Sequence, residues 1–90
     1  MSNERSIIYS QECSIAADRL GGWRQLDTVL EPILDGLSRN PYGYPKYECD
    51  WCSVRYVVTI ATANIPSLAW YFTISKQHVE FKHVEEHEPY

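Results

Sequence analysis

From Ser53 to Ile74 the chain reads SVRYVVTIATANIPSLAWYFTI, and Arg55 is the one charged side chain in that run. β-branched and aromatic residues dominate it, which favours strands over a buried helix, and Ala63, Asn64, Ile65 and Pro66 supply a turn in the middle. In the first half, Val54, Tyr56, Val58 and Ile60 share one side of a period-two strand, while Ser53, Arg55, Val57, Thr59 and Ala61 share the other. In the second half, Leu68, Trp70, Phe72 and Ile74 make a large apolar side that alternates with the smaller, wetter Ala69, Tyr71 and Thr73. Two adjacent strands of this kind need a cover on one face and leave the other face available as a site.

Ninety residues suffice for one core and not for two, so the chain reads as a single domain. At 44% hydrophobic and 13% aromatic it is globular in composition, the rings offering much buried area per residue. No apolar run approaches a membrane span, and MSNERSII lacks the basic and apolar regions of a signal peptide. A cytoplasmic protein with no membrane partner is the expectation. Cys13, Cys49 and Cys52 are then reduced thiols. The net charge of −4 argues against general affinity for nucleic acid. Its distribution leaves room for a local basic site, because Glu80, Glu85, Glu86 and Glu88 crowd the C-terminal end while Lys46, Arg55, Lys76 and Lys82 fall in or beside the strands.

Taken in order, Arg5–Ser10 is a short strand suited to a sheet edge. Ser10 offers an N-cap to a helix over Gln11–Leu20, with Ile15, Ala16, Arg19 and Leu20 on one side and Gly21 and Gly22 closing it. Trp23–Asn40 is the strongest helical signal: Leu26, Val29, Leu30, Ile33, Leu34 and Leu37 form one stripe, with Asp27, Glu31 and Asp35 opposite. Pro32 interrupts this pattern, and a single helix kinked there is expected. Asn40–Pro45 is turn-rich. A short strand over Tyr44–Asp50 follows, then strands over Ser53–Thr62, Ser67–Ser75 and His78–Val84, with a tight connection at Lys76 and Gln77 and a bulge near Lys82. The order is β-α-α followed by an antiparallel meander.

Few residue groups can carry chemistry. Cys49 and Cys52 are spaced C-x-x-C, but Cys13, His78, His83 and His87 stand at no standard spacing to complete a zinc site. A redox pair would open a helix after a strand, which this order does not provide. No metal is expected, and the two thiols read as small residues flanking Trp51 at a strand end. Arg55 has two readings. Its stem can lie along Tyr71 on a solvated sheet face, or its planar fork can point with Lys46, Lys76 and Tyr71 into a concavity that holds a phosphate, the tyrosines stacking on bases. His78, His83 and His87 have the pKa range for proton transfer near neutrality, although histidines in an acidic tail are more often merely solvated.

The segment LDTVLEPILDGLSRNPYGYP running straight into the sheet, then SVRYVVTIATANIPSLAWYFTI and the ending VEFKHVEEHEPY, together resemble the RelE/ParE superfamily of small bacterial toxins over nearly the whole chain. The resemblance implies an α+β fold of order β-α-α-β-β-β, in which two N-terminal helices pack on one face of a twisted antiparallel sheet of about four strands, as one RelE/ParE-like domain over residues 1–90. It implies a cognate antitoxin protein as partner. In the RelE-like branch the activity is ribosome-dependent, metal-free mRNA cleavage by attack of a ribose 2′-hydroxyl on the adjacent phosphate; no cofactor takes part. Such chemistry needs a base, an acid and positive charge at the developing phosphorane. Arg55 then corresponds to the phosphate clamp, Lys46 and Lys76 to supporting cations, and His83 or His87 with Tyr90 to the acid, base or stacking group. In the ParE-like branch the protein inhibits DNA gyrase without nuclease activity. The first expectation from the resemblance is a RelE-like mRNA endoribonuclease neutralised by its antitoxin. Active members are basic, as an enzyme working on mRNA should be, and this chain's acidic balance supports the alternative, a non-catalytic interaction protein on the same scaffold, either a gyrase inhibitor or a decayed toxin that only binds its partner.

Overall fold

The computed structural model describes residues 5–46, 54–62 and 65–87. The elements are β1 (Ser6–Tyr9), α1 (Gln11–Arg19), α2 (Trp23–Arg39), a 3-10 turn (Pro41–Gly43), β2 (Arg55–Thr59), β3 (Leu68–Ile74) and β4 (His78–Glu86). The molecule is an α+β protein with two helices and a four-stranded sheet in the order β1-β4-β3-β2. The last three strands form the expected antiparallel meander. β1 runs parallel to β4, with Ser6 opposite His78 and Tyr9 opposite Phe81, so the sheet is mixed rather than wholly antiparallel. The long path through both helices returns the chain to the sheet without constraining β1 to reverse direction, which a short turn would have done. Of the strand expected over Tyr44–Asp50, Lys46 forms a single bridge to Arg55, and residues 47–53 lie outside the described residues.

Each helix follows from local chemistry. Ser10 Oγ accepts the Cys13 N–H at 3.0 Å and donates to the Lys82 carbonyl at 3.0 Å, so one hydroxyl caps α1 and ties it to β4. That carbonyl is available because Lys82 is the extra residue of a bulge: Tyr71 pairs with His83 but Phe72 pairs with Phe81. The bulge also shifts the alternation, so that Val79, Phe81 and Val84 all reach the core. The buried residues of α1 are Cys13 and Ala17; Ile15, expected on the inner side, is about half exposed. Small side chains let α1 lie close on β4, a criterion that outweighs hydrophobicity at this contact. Gly21 and Gly22 take positive φ of 117° and 87°, backbone that β-carbon residues avoid.

α2 buries Leu26, Leu30 and Leu37 completely and turns Asp27, Glu31 and Asp35 to solvent. Pro32 stands on its exposed side, and the helix continues through it to Arg39. Both helices close the face of the sheet that carries Leu68, Trp70 and Phe72 of β3 with Val79, Phe81 and Val84 of β4. Rings run through this layer: Tyr9 touches Trp23 and Phe81, Trp23 touches Trp70, and Tyr44 meets Phe72 edge-on at the far end. The buried Trp70 indole N–H donates to Thr59 Oγ1 at 3.2 Å, and that hydroxyl donates to the Leu68 carbonyl. This polar link is enclosed by the core. Among the described residues no buried side-chain nitrogen or oxygen lacks a hydrogen-bond partner, and no helix is long and apolar enough to cross a membrane.

Candidate functional site

Antiparallel partners share a face of a sheet. Arg55 is paired with Phe72, a core residue, so it belongs to the helix-bearing side, together with the buried Val57 and Thr59. Its Nη1 donates to the Tyr44 carbonyl at 2.6 Å and, more weakly, to the Tyr42 carbonyl at 3.5 Å, and its guanidinium lies 5.3 Å from the centre of the Tyr42 ring. Arg5 approaches the same ring at 5.3 Å and donates from Nε to the Ser75 carbonyl at 2.9 Å. Its own backbone is pinned to Ser38 of α2 in both directions: its N–H donates to the Ser38 carbonyl, and its carbonyl accepts from the Ser38 hydroxyl. Tyr42 is thus held between cations that arrive from the two opposite edge strands, and neither arginine forms an ion pair among the described residues. Lys46 bridges Arg55, and Lys76 follows Ser75 in the β3–β4 turn, so the positive charges gather at this end of the sheet.

The opposite face, bare in that no described helix covers it, is different in kind, although Ala69 on it is buried. Tyr56 pairs with Tyr71 and Tyr71 with His83, and the rings form a row across three strands at centroid separations of 6.3 and 6.2 Å. Around the row stand Glu85, 3.7 Å from His83 Nε2, and Glu80, ion-paired with Lys82 at 2.8 Å. The histidines are spread along β4. His78 opens the strand, His83 lies mid-way, and His87, past its end, donates its N–H to the Ser67 carbonyl at 2.8 Å. An extended chain rises about 3.3 Å per residue, so one strand holds its two ends far apart.

The structure therefore brings Arg55 and Lys46 together, and it separates Arg55 from Tyr71 and His83 by the thickness of the sheet. The expected concavity shared by Arg55, Lys46, Lys76 and Tyr71 is corrected on this point: an even–odd difference in strand position puts Tyr71 on the other face. Tyr90, Cys49 and Cys52 lie outside the described residues. Among the described residues no group of three His, Cys, Asp or Glu side chains could hold a metal ion. Cys13 is fully buried, and burial pushes its thiol up to about 11. Tyr9 is also raised, first by burial and then by Asp27 and Cys13 nearby.

Arg5 and Tyr42 were not visible as site residues in the sequence. Tyr42 sits in a turn whose composition signals only a turn, and Arg5 is separated from Arg55 by most of the chain. Comparison with protein-family models, with curated proteins and with solved structures yields no match to this chain.

Proposed function

We propose that this chain is the toxin-fold component of a toxin–antitoxin pair and that it acts through protein contacts, as a gyrase inhibitor or as a non-catalytic binder of its partner, rather than by cutting mRNA. The observation that supports this reading is the division of the candidate residues between two faces. Metal-free attack by a 2′-hydroxyl needs the phosphate clamp and the proton-transfer groups around one phosphorane. Arg55 is engaged by the Tyr44 carbonyl on the helix-bearing side, whereas His83 stands beside Glu85 on the bare side. Acidic neighbours there repel a phosphate. One feature favours the nuclease reading instead: Tyr56, Tyr71 and His83 make a row of rings on which bases can stack.

Two assays on the full chain separate these readings. Primer extension on mRNA from a reconstituted translation reaction is expected to show intact message with and without the protein, while a gyrase supercoiling assay is expected to show inhibition. Cleavage at ribosomal A-site codons that disappears in Arg55→Ala or His83→Ala would overturn the proposal. Uninhibited gyrase, with no protein partner recovered in pull-downs, would remove the binding reading as well.

A further inference from the structure

β2 is the outer strand of the sheet, and among the described residues only its beginning is covered on the outer side, where the Tyr56 N–H donates to the Pro45 carbonyl at 3.1 Å and Lys46 bridges Arg55. Peptide groups alternate in direction along a strand. Since the Tyr56 N–H points outward, that of Val58 does too, and among the described residues no strand lies beyond it; Ile60 follows Thr59, the last residue of β2. Beside this open edge runs an apolar groove between Val29, Pro32 and Ile33 of α2 and Val58 and Ile60. Ile60 is 85% exposed. The usual protections of an edge are missing, because Tyr56 to Ile60 contains no proline and no charged side chain, and the pairing with β3 has no bulge.

We propose that two copies of this chain pair through this edge, their β2 strands antiparallel about a two-fold axis, to form one continuous sheet across the dimer. The reading is independent of the toxin proposal. Setting Val58 of each copy opposite Ile60 of the other lets both residues exchange N–H and C=O groups in each direction, so every outward peptide group of the pair is satisfied. The same rotation brings Val29, Pro32 and Ile33 of the two α2 helices toward each other over the seam and covers the groove from both sides, as an isologous contact requires. Charge selects this surface over the bare face. A chain of net charge −4 repels its copy, and face-to-face pairing would set Glu80 and Glu85 against their equivalents. The β2 seam carries no charge from Tyr56 to Thr62, and antiparallel pairing moves the two Arg55 side chains to opposite ends.

Sedimentation velocity over a wide concentration range, combined with hydrogen exchange, tests the proposal on the full chain. The expected result is a concentration-dependent shift from 10.5 kDa to twice that mass, with the amides of Val58 and Ile60 slowed as the dimer forms. Ile60→Lys, at a site too exposed to affect folding, is expected to return the protein to monomer with an unchanged urea midpoint. Val58→Pro removes a donor that β3 does not use, and is expected to weaken the dimer in the same assay. A wild-type chain that stays at monomer mass throughout would overturn the proposal. So would a dimer that survives Ile60→Lys, since its interface would lie elsewhere, and so would slowing of these amides only on addition of a different protein.

Discussion

The two faces of the sheet carry side chains of the same strands and yet obey different rules. On the helix-bearing face Trp70, Phe72 and Phe81 are fully enclosed, and Arg55 at its rim has its donors directed at backbone carbonyls of the turn beside it. On the other face Tyr56, Tyr71 and His83 stack in a row across the strands, with Glu85 beside His83. An arginine at the rim of a core is held by what it closes, whereas a ring on an open face is held by its cross-strand neighbours. Membership of a site in such a thin sheet is decided by strand parity more than by nearness in sequence: Arg55 and Tyr56 are consecutive and lie on opposite sides.

Perturbations of the covered face should dominate stability. Trp70→Ala removes a buried indole and is expected to lower unfolding free energy by about 3–5 kcal/mol in urea melts; a loss as small as that of a surface residue would mean that the helices do not close this face. Thr59→Val keeps the shape but leaves the indole N–H without an acceptor, an expected loss of about 1–3 kcal/mol that should largely vanish when Trp70 is already Phe.

Arg55→Ala is expected to have an intermediate effect, about 1–2 kcal/mol, from the loss of a charged hydrogen bond at a partly exposed position and of the contact with Tyr42. Were it silent in urea melts, the guanidinium would have no structural task and the case for a ligand-binding Arg55 would return. The buried thiol provides a test by pH. Cys13 is raised from 9.0 to about 11, so the folded state disfavours its thiolate: its contribution is fully present below pH 9 and is lost as pH rises toward 11. Stability should therefore fall over that window in the wild type and fall less in Cys13→Ala, with Tyr9 adding loss of the same sign. The smallest effect is expected from His83→Ala on the bare face, within about 0.5–1 kcal/mol, since its ring is half exposed and among the described residues stacks on Tyr71. A larger loss would show that the aromatic row is part of the fold rather than a surface.

Much of this architecture was legible residue by residue. The stripe of α2, the Ser10 cap, the closing glycines, the apolar side of β3 and the bulge at Lys82 are all written in local spacing. The side of β2 that is covered was not, because the more apolar side is the open one: Tyr56, Val58 and Ile60 stand on it, while Arg55, Val57 and Thr59 stand on the covered side. β3 resolves the ambiguity through pairing, and no residue of β2 announces it. Likewise the burial of Cys13 and Ala17 in place of Ile15 reflects how closely α1 approaches β4, a distance that periodicity does not encode.

What the amino-acid order determined by itself is the set of elements and the residues that share a side of each, since side-chain alternation in a strand and the 3.6-residue turn of a helix are properties of the local backbone. Only the tertiary structure decided that β1 runs parallel to β4, that Arg5 and Arg55 converge on Tyr42 from opposite edges, and that Arg55 and His83 look away from each other. Those outcomes depend on which face gains most by being removed from water, and that is a property of all the strands and both helices together.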